Sequence, residues 1–196
     1  MVSINDYTKL WFSRLLHNYA DSMQSVIKIT KAFSLAIKAH ENQLYKYNKH
    51  EPYVNHPLRV ALILTDELSI RDVDTVCTAL LHDVFEKKDD TKINDLIRKD
   101  LGEIIYNNIK LLVKPKKGKE KYPMQDYFKK IQSSPVHIRY IKLADRLDNI
   151  RSLKNTTKKD KIIRYREETQ KYLIPIAEIT GEKILLKLTI GLYELK

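Results

Sequence analysis

Apolar residues recur along this 196-residue chain at separations of three and four, and only 4 glycines and 6 prolines interrupt them. That spacing follows the 3.6-residue turn of a helix, whereas strands need alternation by two, which the sequence does not offer. An all-α protein is therefore expected. The length suits one domain, 196 residues being enough for a core that needs no staples.

The expected elements follow from stripe and punctuation. Leu10, Trp11, Phe12, Leu15 and Leu16 mark an amphipathic helix that docks on its own domain or on a partner subunit, so residues 1–21 read as a helical extension and 22–196 as the domain proper. A second helix spans Ser22 to Asn42, with Val26, Ile29, Ala32, Phe33, Ala36 and Ile37 on one stripe, followed by a polar loop from Leu44 to Asn55. A third starts at His56-Pro57, where proline suits a first turn. Ser69 with Asp72 three residues on resembles a cap for a fourth helix, Arg71 to Lys87. The lysine run from Lys114 to Lys121 reads as a loop, either simply solvated or closing over an anion. Later helices are expected over Pro135–Lys154, Lys158–Ile179 and Glu182–Glu194.

With 36 Lys and Arg against 25 Asp and Glu, the formal charge is +11, which favours anionic partners such as nucleotides. Basic and aromatic residues form no recognisable RNA- or DNA-binding motif, which argues against nucleic acid as the partner. The single cysteine, Cys77, excludes an intramolecular disulfide and fits a reducing, cytoplasmic setting. No run approaches the ~20 apolar residues of a membrane span, so no membrane partner is expected. A homo-oligomer is left open.

Four residues in apolar helical surroundings carry the chemistry: His56, the pair His82-Asp83, and Asp145. A histidine followed at once by an aspartate inside a buried stretch would need two separate compensating networks, and one shared cation compensates both. Imidazole mixed with carboxylate suits Mn, Fe, Co or Zn better than calcium or magnesium, and points to a metal-dependent hydrolase. Glu86, four residues after His82 and three after Asp83, projects from the same helical face and can sit beside the ion without ligating it. Around Asp145, Leu143, Ala144, Leu147 and Ile150 form an apolar stripe, and Asp145, Asn149 and Ser152 a polar one able to line a site.

The blocks Glu51-Pro52-Tyr53-Val54-Asn55-His56-Pro57-Leu58, Ala79-Leu80-Leu81-His82-Asp83-Val84-Phe85-Glu86 and Lys142-Leu143-Ala144-Asp145-Arg146-Leu147-Asp148-Asn149 resemble the hydrolase domain of RelA/SpoT homologues, within the HD superfamily. A bare His-Asp pair is weak, but three blocks in order at compatible separations are specific, and the likeness runs from about Ser25 to Gly181. The resemblance implies a single-domain HD-type helical bundle that binds one Mn2+ through His56, His82, Asp83 and Asp145. It further implies removal of pyrophosphate from the 3′ position of the guanosine alarmones ppGpp and pppGpp. The long loop between Lys46 and His56 is similar to that of the stand-alone metazoan type. By position, Glu86 and Asn149 match catalytic residues, and Tyr45, Lys46, Arg146 and Ser152 match the substrate side.

Two departures bear on activity. The family usually has Glu-Asp where this chain has Glu86-Lys87, with Asp89 and Asp90 following, and an arginine that stacks on the base where this chain has Tyr45. A tyrosine ring can stack but brings no charge. These substitutions keep open an adenosine alarmone, a dinucleotide phosphate or another nucleotide as substrate. They also keep open a catalytically weak module that binds an alarmone without turnover.

Overall fold

A computed structural model describes residues 4–46, 48–86, 91–115, 124–154, 156 and 159–195. The described residues are all-α apart from one short hairpin, and the chain falls into two compact units, Met1–Val113 and Lys114–Lys196. Among the described residues no helix is long and apolar enough to cross a membrane.

The first unit begins with α1 (Asp6–His17), closed at its start by a reciprocal capping box in which the Asn5 side chain accepts from the Thr8 N–H and Thr8 Oγ1 accepts from the Asn5 N–H. Then come α2 (Met23–Ala39), the antiparallel strands β1 (Leu44–Tyr45) and β2 (Asn48–Pro52), α3 (Asn55–Leu62), α4 (Val73–Leu81), α5 (Thr91–Leu101) and α6 (Glu103–Leu112). Helix α4 is the centre of this unit and packs on α2, α3 and α6. Ile29, Ala32 and Ala36 of α2, Leu58, Val60 and Ala61 of α3, and Val76, Cys77, Ala79, Leu80 and Leu81 of α4 are buried. Helix α1 docks on α3. Gly102 takes φ +94° between α5 and α6, a conformation that favours glycine, and so turns the chain back.

The second unit contains α7 (Met124–Ser133), α8 (Val136–Leu153), α9 (Lys159–Glu168), α10 (Ile174–Glu178) and α11 (Glu182–Glu194). α8 packs against α11, where Gly191 faces Leu147 and Ile150.

Several boundaries differ from the sequence reading. The polar loop 44–55 contains the hairpin, too short to show alternation. The cap of α4 is Asp72, which accepts from the Thr75 N–H at 2.8 Å, while Ser69 sits at φ 60° outside the helix. The helix expected over 158–179 is interrupted by a π-turn, Thr169–Leu173, because Pro175 has no N–H for the carbonyl one turn back. Helices α5, α6 and α7 carry their own stripes, Ile93/Ile97/Leu101, Ile105/Ile109/Leu112 and Tyr127/Phe128/Ile131, which the sequence reading passed over. Most of the lysine run, residues 116–121, lies outside the described residues, as do Lys87, Asp89 and Asp90.

Candidate metal centre

Helix α4 does not continue through the His-Asp pair. It ends at Leu81, His82 is its C-cap, and a single 3-10 turn follows over Val84–Glu86. The cause is local: His82 Nδ1 lies 2.8 Å from the Ala79 carbonyl oxygen, and since a carbonyl only accepts, Nδ1 carries the proton and donates. The ring thereby competes for a carbonyl that a continuing helix would use. It also leaves the Nε2 lone pair as the donor for a cation, an orientation of the kind that supporting groups impose on metal-binding histidines. Glu86 consequently does not share a helical face with His82 as expected. It sits half-buried at the end of the 3-10 turn, its N–H donating to the Asp83 carbonyl at 3.1 Å.

Around this helix end His56, His82 and Asp83 converge. All three are buried, and each offers a ligand atom within 4.8 Å of the others. His82 Nε2 lies 3.3 Å from Asp83 Oδ1 and His56 Nε2 3.5 Å from Asp83 Oδ2, with the two imidazole rings edge to face at 5.2 Å. Burial by itself pushes the Asp83 carboxyl up. With no cation between them, positive charge on a protonated His82 and hydrogen bonds from both histidines more than reverse that and hold it well below the usual carboxylate range; a bound cation would take the place of the Nε2 proton. A cation between the three groups acts in the same sense. Two nitrogens and a carboxylate, desolvated and convergent, fit a borderline first-row metal ion.

The Tyr53 hydroxyl donates to Asp83 Oδ2 at 2.6 Å. Tyr45 is buried with its ring stacked on His56, centroids 5.5 Å apart. Lys46 is exposed at the hairpin turn. The Tyr53 role was missed in sequence, although Tyr53 lies within the block that carries His56, because only the fold shows which way the ring points.

The remaining predicted residues lie on α8 in the second unit. Asp145 is buried, accepting from Lys142 Nζ at 2.7 Å on Oδ2 and from Asn149 Nδ2 at 2.5 Å on Oδ1. Asn149 Nδ2 also donates to the Asp145 carbonyl at 2.8 Å, and among the described residues its buried Oδ1 accepts from no protein group. Arg146 is 5% exposed, pairs with Glu168 and stacks over Tyr165 at 4.6 Å, while its buried Nη1 finds no protein acceptor among the described residues. Ser152 is half-buried. Lys142 was given no role from sequence. A lysine three residues before Asp145 in an apolar stripe was the available signal.

Comparison with known proteins bears on this geometry. Residues 32–181 match the family described as HD domain. The chain is 34% identical over 157 residues to the GTP pyrophosphokinase rsh of Brucella melitensis, covering 78% of this chain and 20% of that one. To the bifunctional (p)ppGpp synthase/hydrolase SpoT of Escherichia coli it is 32% identical over 173 residues, 86% of this chain and 24% of that one. The chain thus spans about a quarter or less of the length of the curated relatives it matches. Among solved structures it is similar to a metazoan ortholog of SpoT described as hydrolyzing ppGpp, with a TM-score of 0.75, 26% identity, and coverage of 85% of this chain and 94% of that one.

Proposed function

Because the chain belongs to the HD-domain family and is homologous to RelA/SpoT proteins, we propose that it is a metal-dependent hydrolase that removes pyrophosphate from the 3′ position of ppGpp and pppGpp. The observation that carries this reading is the buried convergence of His56, His82 and Asp83. Two imidazoles and a carboxylate suit a first-row divalent ion, and Mn2+ is the ion proposed. Asp145 is assigned as the fourth ligand on its place in the Leu143-Ala144-Asp145-Arg146 block.

When bound, the ion supplies Lewis acidity and lowers the pKa of water toward neutrality. The chain's own groups do the rest. Glu86 takes the proton of the attacking water, and its half-buried place after Asp83 suits a base that must stay in contact with solvent. Asn149 keeps Asp145 aimed through its amide nitrogen and presents its buried Oδ1 as an acceptor for a substrate hydroxyl. Arg146 is braced by Glu168 and offers Nη1 to a phosphate, and Ser152 is assigned to the substrate on its position in the sequence pattern. Lys46 is assigned to the nucleotide, whereas Tyr45, buried against His56 with the Arg59 guanidinium over its ring, bears on the substrate through the His56 imidazole. With Lys87 in place of the usual aspartate, Glu86 works without a second carboxylate at the next position, and slow turnover is expected.

The test is pyrophosphate release from ppGpp, pppGpp and their adenosine counterparts by the purified, Mn2+-loaded chain. His82→Ala should abolish release and Glu86→Gln should lower it about 10²- to 10⁴-fold, the range for a lost general base. Full activity in His82→Ala overturns the mechanism. Preference for the adenosine compounds moves the substrate, and tight binding with no product over long incubation leaves an alarmone-binding module.

A further inference from the structure

The family match begins at residue 32, within α2, so α1 lies wholly outside it. Helix α1 nevertheless reaches His56 along two separate lines. The first is polar. Thr8, 1% exposed on the first turn of α1, lies with Oγ1 2.5 Å from Oδ1 of Asn55, itself 1% exposed and immediately before His56 at the start of α3. The single Thr8 hydroxyl proton has two acceptors in reach, Asn5 Oδ1 at 2.9 Å and Asn55 Oδ1 at 2.5 Å, and the shorter distance favours Asn55. The start of α3 has no side-chain cap of its own. A buried hydroxyl-to-amide bond is directional where an apolar contact is not, so it sets the rotation of the turn that carries His56 as well as its distance.

The second line is aromatic. Trp11 stands three residues after Thr8 on α1, and the Arg59 guanidinium of α3 lies 5.7 Å from its ring centroid and 4.9 Å from that of Tyr45. Arg59 is held in place by an ion pair with Glu51 of β2. Tyr45 in turn stacks on the His56 imidazole, the planes 22° apart. Trp11, Arg59, Tyr45 and His56 therefore form a continuous stack from α1 to the candidate metal centre.

We propose that α1 is a positioning element for that centre, with Thr8 and Trp11 as its positioning residues: Thr8 orients His56 through Asn55, and Trp11 holds Arg59 and Tyr45 against the His56 ring. The inference rests on the reading of His56, His82 and Asp83 as metal ligands. It adds to that reading a segment beyond the matched family region.

The experiment is Mn2+ titration by calorimetry into the full chain and its variants, at a temperature where circular dichroism shows each folded. Thr8→Val should weaken Mn2+ binding about 10-fold, as losses of ligand-orienting groups do, and Thr8→Ser, which keeps the hydroxyl, should stay within about threefold of the parent. Trp11→Leu leaves the Thr8 bond in place. It should weaken Mn2+ binding about threefold, the loss expected for one cation–π contact, and raise KM for ppGpp in step.

Parent-like Mn2+ affinity in Thr8→Val overturns the proposal. Should Thr8→Val fail to fold, Trp11→Leu decides, and unchanged KM with unchanged Mn2+ affinity overturns it. A parent that binds Mn2+ through His82 but turns over no alarmone refutes the proposed function and leaves the positioning role to be read from Mn2+ affinity alone. A parent that binds no Mn2+ overturns both.

Discussion

Lys142 Nζ donates a 2.7 Å hydrogen bond to Asp145 Oδ2 inside the second unit, with the two side chains 4% and 5% exposed. A lysine so deeply buried is normally pushed toward its neutral form, yet the charge of Asp145 outweighs burial and holds its pKa above the ordinary value. The Tyr127 ring, 5.6 Å from Nζ, adds a second favourable contact. Removing one partner of such a pair leaves the other charge buried alone. Lys142→Met should therefore lower the stability of the metal-free protein by about 3–5 kcal/mol, read as a fall in the urea midpoint, and adding Asp145→Asn should restore part of it. An unchanged midpoint in Lys142→Met would mean that the ion pair contributes nothing to folding.

Metal binding to the first unit predicts a linked gain in stability. Mn2+ at about 100 times its Kd should add about 2.7 kcal/mol, raising the melting temperature, and a chelator should reverse the gain. Asp83→Asn and His82→Ala should melt at one temperature with or without Mn2+. A melting temperature of the parent chain that ignores Mn2+ would count against the donor set of His56, His82 and Asp83.

Cys77 is fully buried in α4, and burial pushes its thiol up from an ordinary 9.0 to about 12. In the unfolded chain it titrates near the ordinary value. The folded form binds this proton more tightly, so its contribution to stability is complete below about pH 9 and declines as pH rises toward 12. Burial pushes the Tyr19 hydroxyl up as well, in the same direction. Urea midpoints should fall as pH rises above about 9 toward 12, and less so in Cys77→Ala. At pH 8 the native thiol should resist a disulfide reagent and react on unfolding. Rapid labelling of the native protein would contradict the burial of α4.

Gly181 precedes α11, and a Cβ placed there would stand 2.5 Å from the Tyr140 hydroxyl oxygen. That hydroxyl donates to the Thr180 carbonyl at 3.0 Å, so it cannot simply swing aside. Gly181→Ala should cost about 1–3 kcal/mol by overpacking. In a Tyr140→Phe background the cost of the same change should shrink, because the clashing atom is gone. Additive effects in the double-mutant cycle would show that the strain lies elsewhere.

Much of this architecture is legible in the residues themselves. The stripe Ile29, Ala32, Phe33, Ala36 announces α2, and Leu143, Ala144, Leu147, Ile150 announces the core side of α8, because helical periodicity is written by neighbours three and four apart. The polar stripe of α8 was harder to read. Asp145, Arg146, Asp148 and Asn149 are all buried, so this helix has no broad solvent face between 141 and 150. Sequence alone shows the polarity of such residues but not the partners that make burial tolerable, such as Glu168 and Tyr165 for Arg146.

What the sequence determined by itself is the helical period, the absence of an internal disulfide, and the blocks that hold His56, His82-Asp83 and Asp145. The tertiary structure decided where α4 stops, how His82 is protonated, that Tyr45 lies against His56, and that Thr8 bonds to a residue 47 positions away. The division has a physical cause. Local periodicity follows from backbone sterics within one turn, whereas a side chain's choice of carbonyl, ring or hydroxyl as partner depends on desolvation and on which distant segments the folded chain brings within hydrogen-bonding reach.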